Sequence, residues 1–401
     1  MKLSDDIKQY LVVTGNYWAF TLTDGALRML VVLYFHQLDY APLAIASLFL
    51  FYELFGVITN LVGGWLGAKI GLNKTMNIGL IMQVFALAML TLPTDYLTVA
   101  YVMLAQAMSG IAKDLNKMSA KSAIKTLVPE DAKGTLYKWV AILTGSKNAL
   151  KGFGFFLGGI LLTLFGFQSA MVIMAGALFV VWLLSLVLLK SELGKAKSKP
   201  KFKDLFSKSK NINYLSAARL FLFGARDVWF VIALPVFLAA QFNWDHWRVG
   251  GFLALWVIGY GFVQSIAPNL TGKKQGKVPT GNDAFLWASV LAVVPALIAV
   301  ALGNDFYIKV SILLGLLVFG VLFAINSSLH SYLIVELANS DGVSLDVGFY
   351  YMANAMGRLL GTILSGYLYQ EFGLISCLVV SSGFVAIAAM AVKPVKMQRA
   401  E

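Results

Sequence analysis

SGIAKDLNKMSAKSAIK (109–125) and YKWVAILTGSKNALKGFGFFLGG (137–159) lie in two apolar helices of membrane-crossing length that charge interrupts. Lys113 and Lys117 break the first, Lys147 and Lys151 the second. A cation inside a spanning helix costs about 3 kcal/mol on insertion scales, so it faces a partner or a watery cavity. The members of each pair are four residues apart, which sets both ammonium groups on one face of their helix. If the first helix ends near Ser122, Lys113 lies ~14 Å above that end at 1.5 Å per residue. If the second starts near Leu136, Lys147 lies ~17 Å above the same surface. Cations gathered at one depth outline an anion site.

Hydrophobic residues form 59% of the 401-residue chain and charged residues 13%, about half the roughly 25% of an ordinary soluble domain. Mean hydropathy is +0.76. The class is an all-α polytopic membrane protein, with room for about twelve spans and short loops. Spans are expected near 10–36, 42–67, 75–92, 97–122, 136–164, 169–189, 212–240, 249–270, 284–302, 306–335, 347–369 and 374–392. The first span, with no small-residue cleavage site before it, is expected to serve as the targeting signal.

Positive charge falls in alternate loops. Lys69 and Lys74 follow span 2, Lys125 and Lys133 follow span 4, and Lys273, Lys274 and Lys277 follow span 8. The middle stretch carries Lys190, Lys195, Lys197, Lys199, Lys201, Lys203, Lys208 and Lys210. The opposite loops are nearly free of them, with Arg248 and Lys309 the exceptions. The positive-inside rule puts both termini and the middle loop in the cytoplasm, and it accounts for the net charge of +12 without a nucleic-acid partner. The expected domains are therefore 1–189, a basic linker at 190–211, and 212–401. NYWAFTLTDGALRMLVVLYF (16–35) aligns weakly with NYLSAARLFLFGARDVWFVIALPVF (213–237), with Arg28 opposite Arg226. Two pseudo-symmetric six-helix halves related by a parallel repeat are a known transporter construction.

Ionisable residues concentrate in particular spans. Asp24 and Arg28 sit in span 1, Glu53 in span 2, Lys113, Asp114 and Lys117 in span 4, and Lys147 and Lys151 in span 5. Span 7 holds Arg226 and Asp227, with Arg219 set aside as near a helix end; span 10 holds His330 and span 11 Arg358. Spans 3, 6, 9 and 12 carry none and are expected to face lipid all round, while the others enclose a polar cavity. Candidate ligands for an anion are Arg28, Lys113, Lys117, Lys147, Lys151, Arg226 and Arg358, with Asn116, Asn148 and Asn326 adding neutral hydrogen bonds. Asp24, Glu53, Asp114, Asp227 and His330 are the charge-pair or proton-coupling candidates. Asp24 and Arg28 either neutralise each other or serve the site; Glu53 can reach one of the lysines. Arg226 and Asp227 are adjacent and expected to point apart, which leaves Arg226 for a ligand. His330 is expected to be a hydrogen-bonded structural histidine, and Lys121 and Glu336 to sit at helix ends. Gly154, Gly158 and Gly159 point to close helix packing.

The loop GGWLGAKIGLNKT (63–75) resembles the first cytoplasmic signature of the major facilitator superfamily through Gly64, Lys69, Gly71 and Lys74, with Ala68 where an acidic residue is expected. GFFLGG (154–159) resembles the tail of that superfamily's span-5 antiporter signature, with Phe155 in place of its proline. DGALRMLVVLYF, LFLFYELFGVITNLVGGWLGAKIGL, AQAMSGIAKDLNKMSAKSAIK and WVAILTGSKNALKGFGFFLGG are similar to the organoarsenical efflux permeases of bacterial arsenic-resistance operons. That resemblance implies secondary active export of 1-arseno-3-phosphoglycerate across the inner membrane, arsenate resistance, and a functional partnership with glyceraldehyde-3-phosphate dehydrogenase.

The charge count agrees in sign, because the candidate cations outnumber the candidate carboxylates. Trivalent arsenic would call for thiolates, and Cys377 is the only cysteine. No metal or cofactor is expected, and no motif for nucleotide binding or nucleophilic catalysis points to an enzyme. The chain is expected to act as a monomer in the bilayer on an anionic small molecule. The alternative is an organophosphate/phosphate exchanger or another anion/proton antiporter of the same superfamily.

Overall fold

A computed structural model of the chain describes residues 5–40, 45, 48–129, 132–190, 193–197, 201, 209–244, 246–271 and 278–396. Lys199, Lys203, Lys208, Lys273, Lys274 and Lys277 of the basic loops lie outside them. Among the described residues the regular structure is helical, without strands. The elements are α1 Asp5–Gln37, α2 Leu50–Ile70, α3 Leu72–Met89, α4 Val99–Leu127, α5 Lys133–Phe165, α6 Phe167–Leu188, α7 Lys210–Phe230, α8 Ala233–Phe242, α9 His246–Leu270, α10 Gly281–Gly303, α11 Ile308–Leu337 and α12 Val343–Val392.

Each stretch read as a span is helical over most of its described length. Span 7 is split into α7 and α8, because Pro235 has no N–H to return to the preceding turn. The Ala233 N–H freed at the break donates instead to Ser365 Oγ at 3.1 Å. Spans 11 and 12 form the single element α12, bent at Gly373 (φ 76°). A matching bend at Gly166 (φ 74°) separates α5 from α6. Both glycines follow a phenylalanine, and both adopt a left-handed backbone that a side chain would strain.

Among the described residues, eight helical stretches are long and apolar enough to cross a membrane by composition. α2, α3 and α4 are not among them, because their packed faces carry polar side chains such as Asn60, Gln83 and Asn116. The expectation that spans 3, 6, 9 and 12 meet lipid on every side is corrected. Each buries one stripe. In α10 that stripe is Ala284, Ala288, Leu291, Pro295, Ile298 and Leu302, while Leu286, Val290, Val293, Leu297 and Val300 are exposed on the other side. A surface this apolar is stable only in hydrocarbon.

The chain forms two compact units. Unit 1 comprises Met1–Ala132, Ser146–Ser207 and Ala338–Met352; unit 2 comprises Lys133–Gly145, Lys208–Leu337 and Ala353–Glu401. They depart from 1–189 and 212–401 at two places: the start of α5 belongs to unit 2 and the start of α12 to unit 1.

In unit 1, α1 and α5 touch backbone to backbone. A Cβ on Gly154 would meet Leu22 O at 2.7 Å and Gly25 Cα at 3.0 Å, and one on Gly158 would meet Ala26 O at 2.5 Å. Unit 2 repeats the contact between α7 and α12. A Cβ on Gly361 would meet Gly224 O at 2.6 Å, and one on Gly357 would collide with Leu220 O. Both helices thus use a Gly-xxx-Gly pair to approach a partner. Gly159, grouped with them on sequence grounds, has no neighbour within 4 Å of its would-be Cβ.

The middle segment is strapped onto unit 1. Leu72 N donates to Leu193 O (2.8 Å) and Ala196 N to Ala68 O (2.9 Å). Lys197 N donates to Asp341 Oδ1 at 2.6 Å, and Ser344 Oγ to Gly64 O at 2.7 Å. Where an acidic side chain was expected at position 68, the loop is tied through its backbone instead.

Gly154→Ala and Gly361→Ala are expected to destabilise the protein by about 1–3 kcal/mol through overpacking. Gly159→Ala should be neutral, or stabilising by up to about 1 kcal/mol from helix propensity. Thermal melts of the three variants in one detergent check the contrast.

Candidate functional site

In unit 1 the charged residues of α1, α2 and α4 gather around Tyr52. α2 lies close on α4 because Gly110 leaves room for the Tyr52 backbone; a Cβ there would be 2.8 Å from Tyr52 O. The Tyr52 ring is fully buried, and its hydroxyl donates to Asp24 Oδ1 at 2.7 Å. Arg28 Cζ lies 3.9 Å from the centre of that ring and Lys113 Nζ 3.8 Å. Two cations therefore lean on one aromatic ring, a contact that strengthens when water is excluded.

The intrahelical Asp24–Arg28 pair is not formed. Asp24 is taken by Tyr52, and Arg28 Nη2 donates to Glu53 Oε1 at 3.0 Å. Glu53, read as a partner for lysine, thus serves Arg28. Asp114, 1% exposed, takes Lys117 at 2.6 Å on Oδ1 and has Lys113 at 3.9 Å from Oδ2. Gly56 gives it space, since a Cβ there would be 3.2 Å from Oδ2. The sequence placed Lys121 at a helix end, but it is buried within α4, its Nζ 4.9 Å from the centre of the Tyr351 ring. Lys117 Nζ is 4.8 Å from the same centre.

Lys147 and Lys151 are half-buried on α5, and Lys147 Nζ donates to Asn148 Oδ1 at 3.3 Å. The Lys151 carbonyl lies against Gly25 of α1. Asn116 Nδ2 bonds back to Ala112 O at 3.0 Å; its buried Oδ1 has no partner among the described residues. A groove of about 490 Å³ in unit 1 is lined by Ile70, Lys74, Asn77, Ile78, Ile81, Trp182 and Leu186, away from these candidates.

Unit 2 has a parallel cluster. Asp227, fully buried, accepts Arg226 Nε at 2.6 Å and Arg358 Nε at 3.0 Å. Adjacent residues on a helix diverge at Cβ, yet the arginine stem is long enough to fold back, so the expectation that Arg226 and Asp227 point apart is corrected. Arg226 also packs over Phe223, with Cζ 5.0 Å from the ring centre. Arg219 is not at a helix end. It is buried within α7 and donates from Nε to Asn354 Oδ1 at 2.9 Å and from Nη1 to Ser327 Oγ at 3.2 Å. Gln264 Nε2 reaches the same Ser327 hydroxyl at 3.0 Å.

His330 is fully buried, and neither ring nitrogen has a hydrogen-bond partner among the described residues. The expected hydrogen-bonded structural histidine is therefore not what the structure contains. Asn326 Nδ2 returns to Leu322 O at 3.0 Å, leaving a buried Oδ1 without a partner among the described residues.

Each cluster thus sets one buried aspartate between two cations. Tyr52, Tyr351, Gln264, Ser327 and Asn354 escaped the sequence reading, which set Arg219 aside as near a helix end. For Arg219 the missed signal was its depth in the helix, nine residues after Lys210. The others are neutral and give no charge signal in a sequence.

The fold matches known transporters. It aligns with the human organic anion transporter MFSD10 (TETRAN) at TM-score 0.75 and 15% identity, covering 97% of this chain and 100% of that one. A bacterial homologue of the iron transporter ferroportin in its outward-facing state gives 0.76 and 13%, covering 97% and 98%. The proton:xylose symporter XylE bound to 6-bromo-6-deoxy-D-glucose gives 0.75 and 13%, covering 96% and 94%. At such identities the likeness shows the fold alone. No curated protein matches in sequence. The Major Facilitator Superfamily model matches residues 12–345, and the chain therefore belongs to that superfamily of multi-pass membrane transporters.

Proposed function

We propose that this transporter exports an anionic organoarsenical, 1-arseno-3-phosphoglycerate, by alternating access across a bacterial inner membrane. It would thereby confer resistance to arsenate. Export follows formation of the substrate by a glyceraldehyde-3-phosphate dehydrogenase that uses arsenate in place of phosphate. Both termini face the cytoplasm on the lysine distribution of the loops.

The observation that carries the reading is the excess of intramembrane cations. In unit 1 Arg28, Lys113, Lys117, Lys121, Lys147 and Lys151 outnumber Asp24, Glu53 and Asp114. Around α7 in unit 2, Arg226 and Arg358 share the carboxylate Asp227, and Arg219 is held by the neutral Asn354 and Ser327. Cations exceeding their counter-ions in a low-dielectric interior favour an anion. Arginine offers a fork matched to phosphate or arsenate oxygens, and lysine a point charge. Asn116, Asn148 and Asn326 are the neutral donors and acceptors for hydroxyl or carboxylate groups. An inside-negative membrane drives anion export at ~2.3 kcal/mol per charge per 100 mV.

Inside-out vesicles containing the protein are expected to accumulate arsenic when given arsenate, glyceraldehyde-3-phosphate, NAD and the dehydrogenase, and not with arsenate alone. Counterflow of glycerol-3-phosphate against phosphate, without arsenic accumulation, would favour the exchanger instead. Arg28→Lys and Arg226→Lys should each lower transport about tenfold or more, because the fork is lost while the charge remains. Lys147→Gln or Lys151→Gln should abolish arsenate resistance in cells that still carry folded protein in the membrane. Transport at wild-type rates by the arginine variants would return those residues to a structural role.

A further inference from the structure

We propose that the groove between α3 and α6 holds an anionic glycerophospholipid, with its phosphate on Lys74 and an acyl chain laid inward past Ile78 and Trp182. The inference concerns the bilayer around unit 1 and is independent of the solute carried.

The two walls match in depth. In α3 the stripe Lys74, Ile78 and Ile81 lines the groove, and in α6 Trp182 and Leu186 do. Lys74 lies in the first turn of α3, and Ile81 is about 10 Å further along at 1.5 Å per residue. Trp182 lies about 9 Å before Leu188, the last residue of α6. α3 begins beside the end of α6, where Asn73 Nδ2 donates to Lys190 O at 2.6 Å. The groove of about 490 Å³ therefore starts at the helix ends and runs inward over the depth of lipid ester groups and upper acyl chains.

α1 closes the back of the groove. Asn16 Nδ2 donates to Ser185 Oγ at 2.8 Å and lies 3.7 Å from Met76 Sδ. Gln9 donates to Leu188 O at 2.9 Å and accepts from Lys190 N at 3.1 Å. Met76 and Ser185 are fully buried on that side, while Ile78 and Leu186 are 38% and 49% exposed on the other. The open side thus belongs to the apolar surface that meets hydrocarbon.

The polar groups select the headgroup. Lys74 is exposed at the rim and has no carboxylate partner among the described residues. Its neighbours are engaged elsewhere: Lys8 and Lys190 approach Asp5 at 3.2 Å and 3.9 Å, and Lys69 leans on the Trp65 ring at 4.4 Å. Asn77, one turn in from Lys74, lines the groove, and its Oδ1 is buried with no partner among the described residues. A carboxamide at that depth has hydrogen-bonding capacity that hydrocarbon cannot meet and a lipid's glycerol and ester region can. Cation, amide and apolar wall follow the order of phosphate, ester and chain along a glycerophospholipid. Positive charge at the rim favours the anionic members of that class. The lysine distribution of the loops puts this end of the helices at the cytoplasmic leaflet.

The test reconstitutes the full-length protein in phosphatidylcholine liposomes. A small fraction of either phosphatidylglycerol or phosphatidylcholine carries brominated chains, which quench a tryptophan that they touch. The difference between each protein and its Trp182→Phe counterpart reports the groove alone. Wild type should take phosphatidylglycerol about fivefold over phosphatidylcholine, the ratio that one lysine gives near an anionic headgroup. Lys74→Gln should bring that ratio to about one, while Lys74→Arg and Lys69→Gln should keep it. A wild-type ratio near one, or a Lys74→Gln ratio equal to that of wild type, would overturn the proposal. So would an equal loss in Lys69→Gln, since it would show diffuse surface charge rather than a site.

Discussion

Asp114 between Lys113 and Lys117, and Asp227 between Arg226 and Arg358, carry the electrostatic constraint on which the remaining charges depend. A charge placed at the depth of a bilayer cannot be left to lipid; it needs an opposite charge, a hydrogen-bond partner or water. Sharing one carboxylate between two cations meets that demand with the fewest acids, and each such triad has one more cation than carboxylate. The Tyr52 ring supplies a further partner, since its face accepts cations and its hydroxyl holds Asp24.

Such clusters require helices that approach closely, and in lipid the hydrophobic effect does not push helices together. The chain relies on glycine instead. Gly25 with Gly154 and Gly158 brings α1 onto α5, and Gly224 with Gly357 and Gly361 brings α7 onto α12. Gly166 and Gly373 make the same bend after the second helix of each pair. The weak alignment of 16–35 with 213–237 is the surface trace of this repeated backbone. Side chains have diverged around it: one copy carries Lys151 at the turn before its Gly-xxx-Gly pair, the other Asn354, which holds Arg219.

The acids differ in how they are held. Asp114 and Asp227 are buried, each between two cations. Glu53, partly exposed, meets Arg28 at 3.0 Å. Neutral side chains with buried atoms that have no partner among the described residues, Asn116 and Asn326 among them, have hydrogen-bonding capacity that a polar solute could meet.

Hydropathy by itself determined the class, the spans and the alternation of basic loops, because burying backbone in lipid leaves a helix as the form for an apolar stretch of that length. Charge inside those spans likewise marked Arg28, Lys113, Asp114, Lys117, Arg226, Asp227 and Arg358 as special before any packing was known. Only the tertiary structure decided who pairs with whom. Asp24 lost Arg28 to Glu53 because Tyr52 on α2 presents a hydroxyl at the right height, a fact of helix packing that no spacing within α1 contains. Arg226 met Asp227 because side-chain length outweighs the divergence of adjacent Cβ atoms. Arg219, Gln264, Ser327 and Asn354 come from four helices and join only in space, so a linear pattern of charge could not show that they meet.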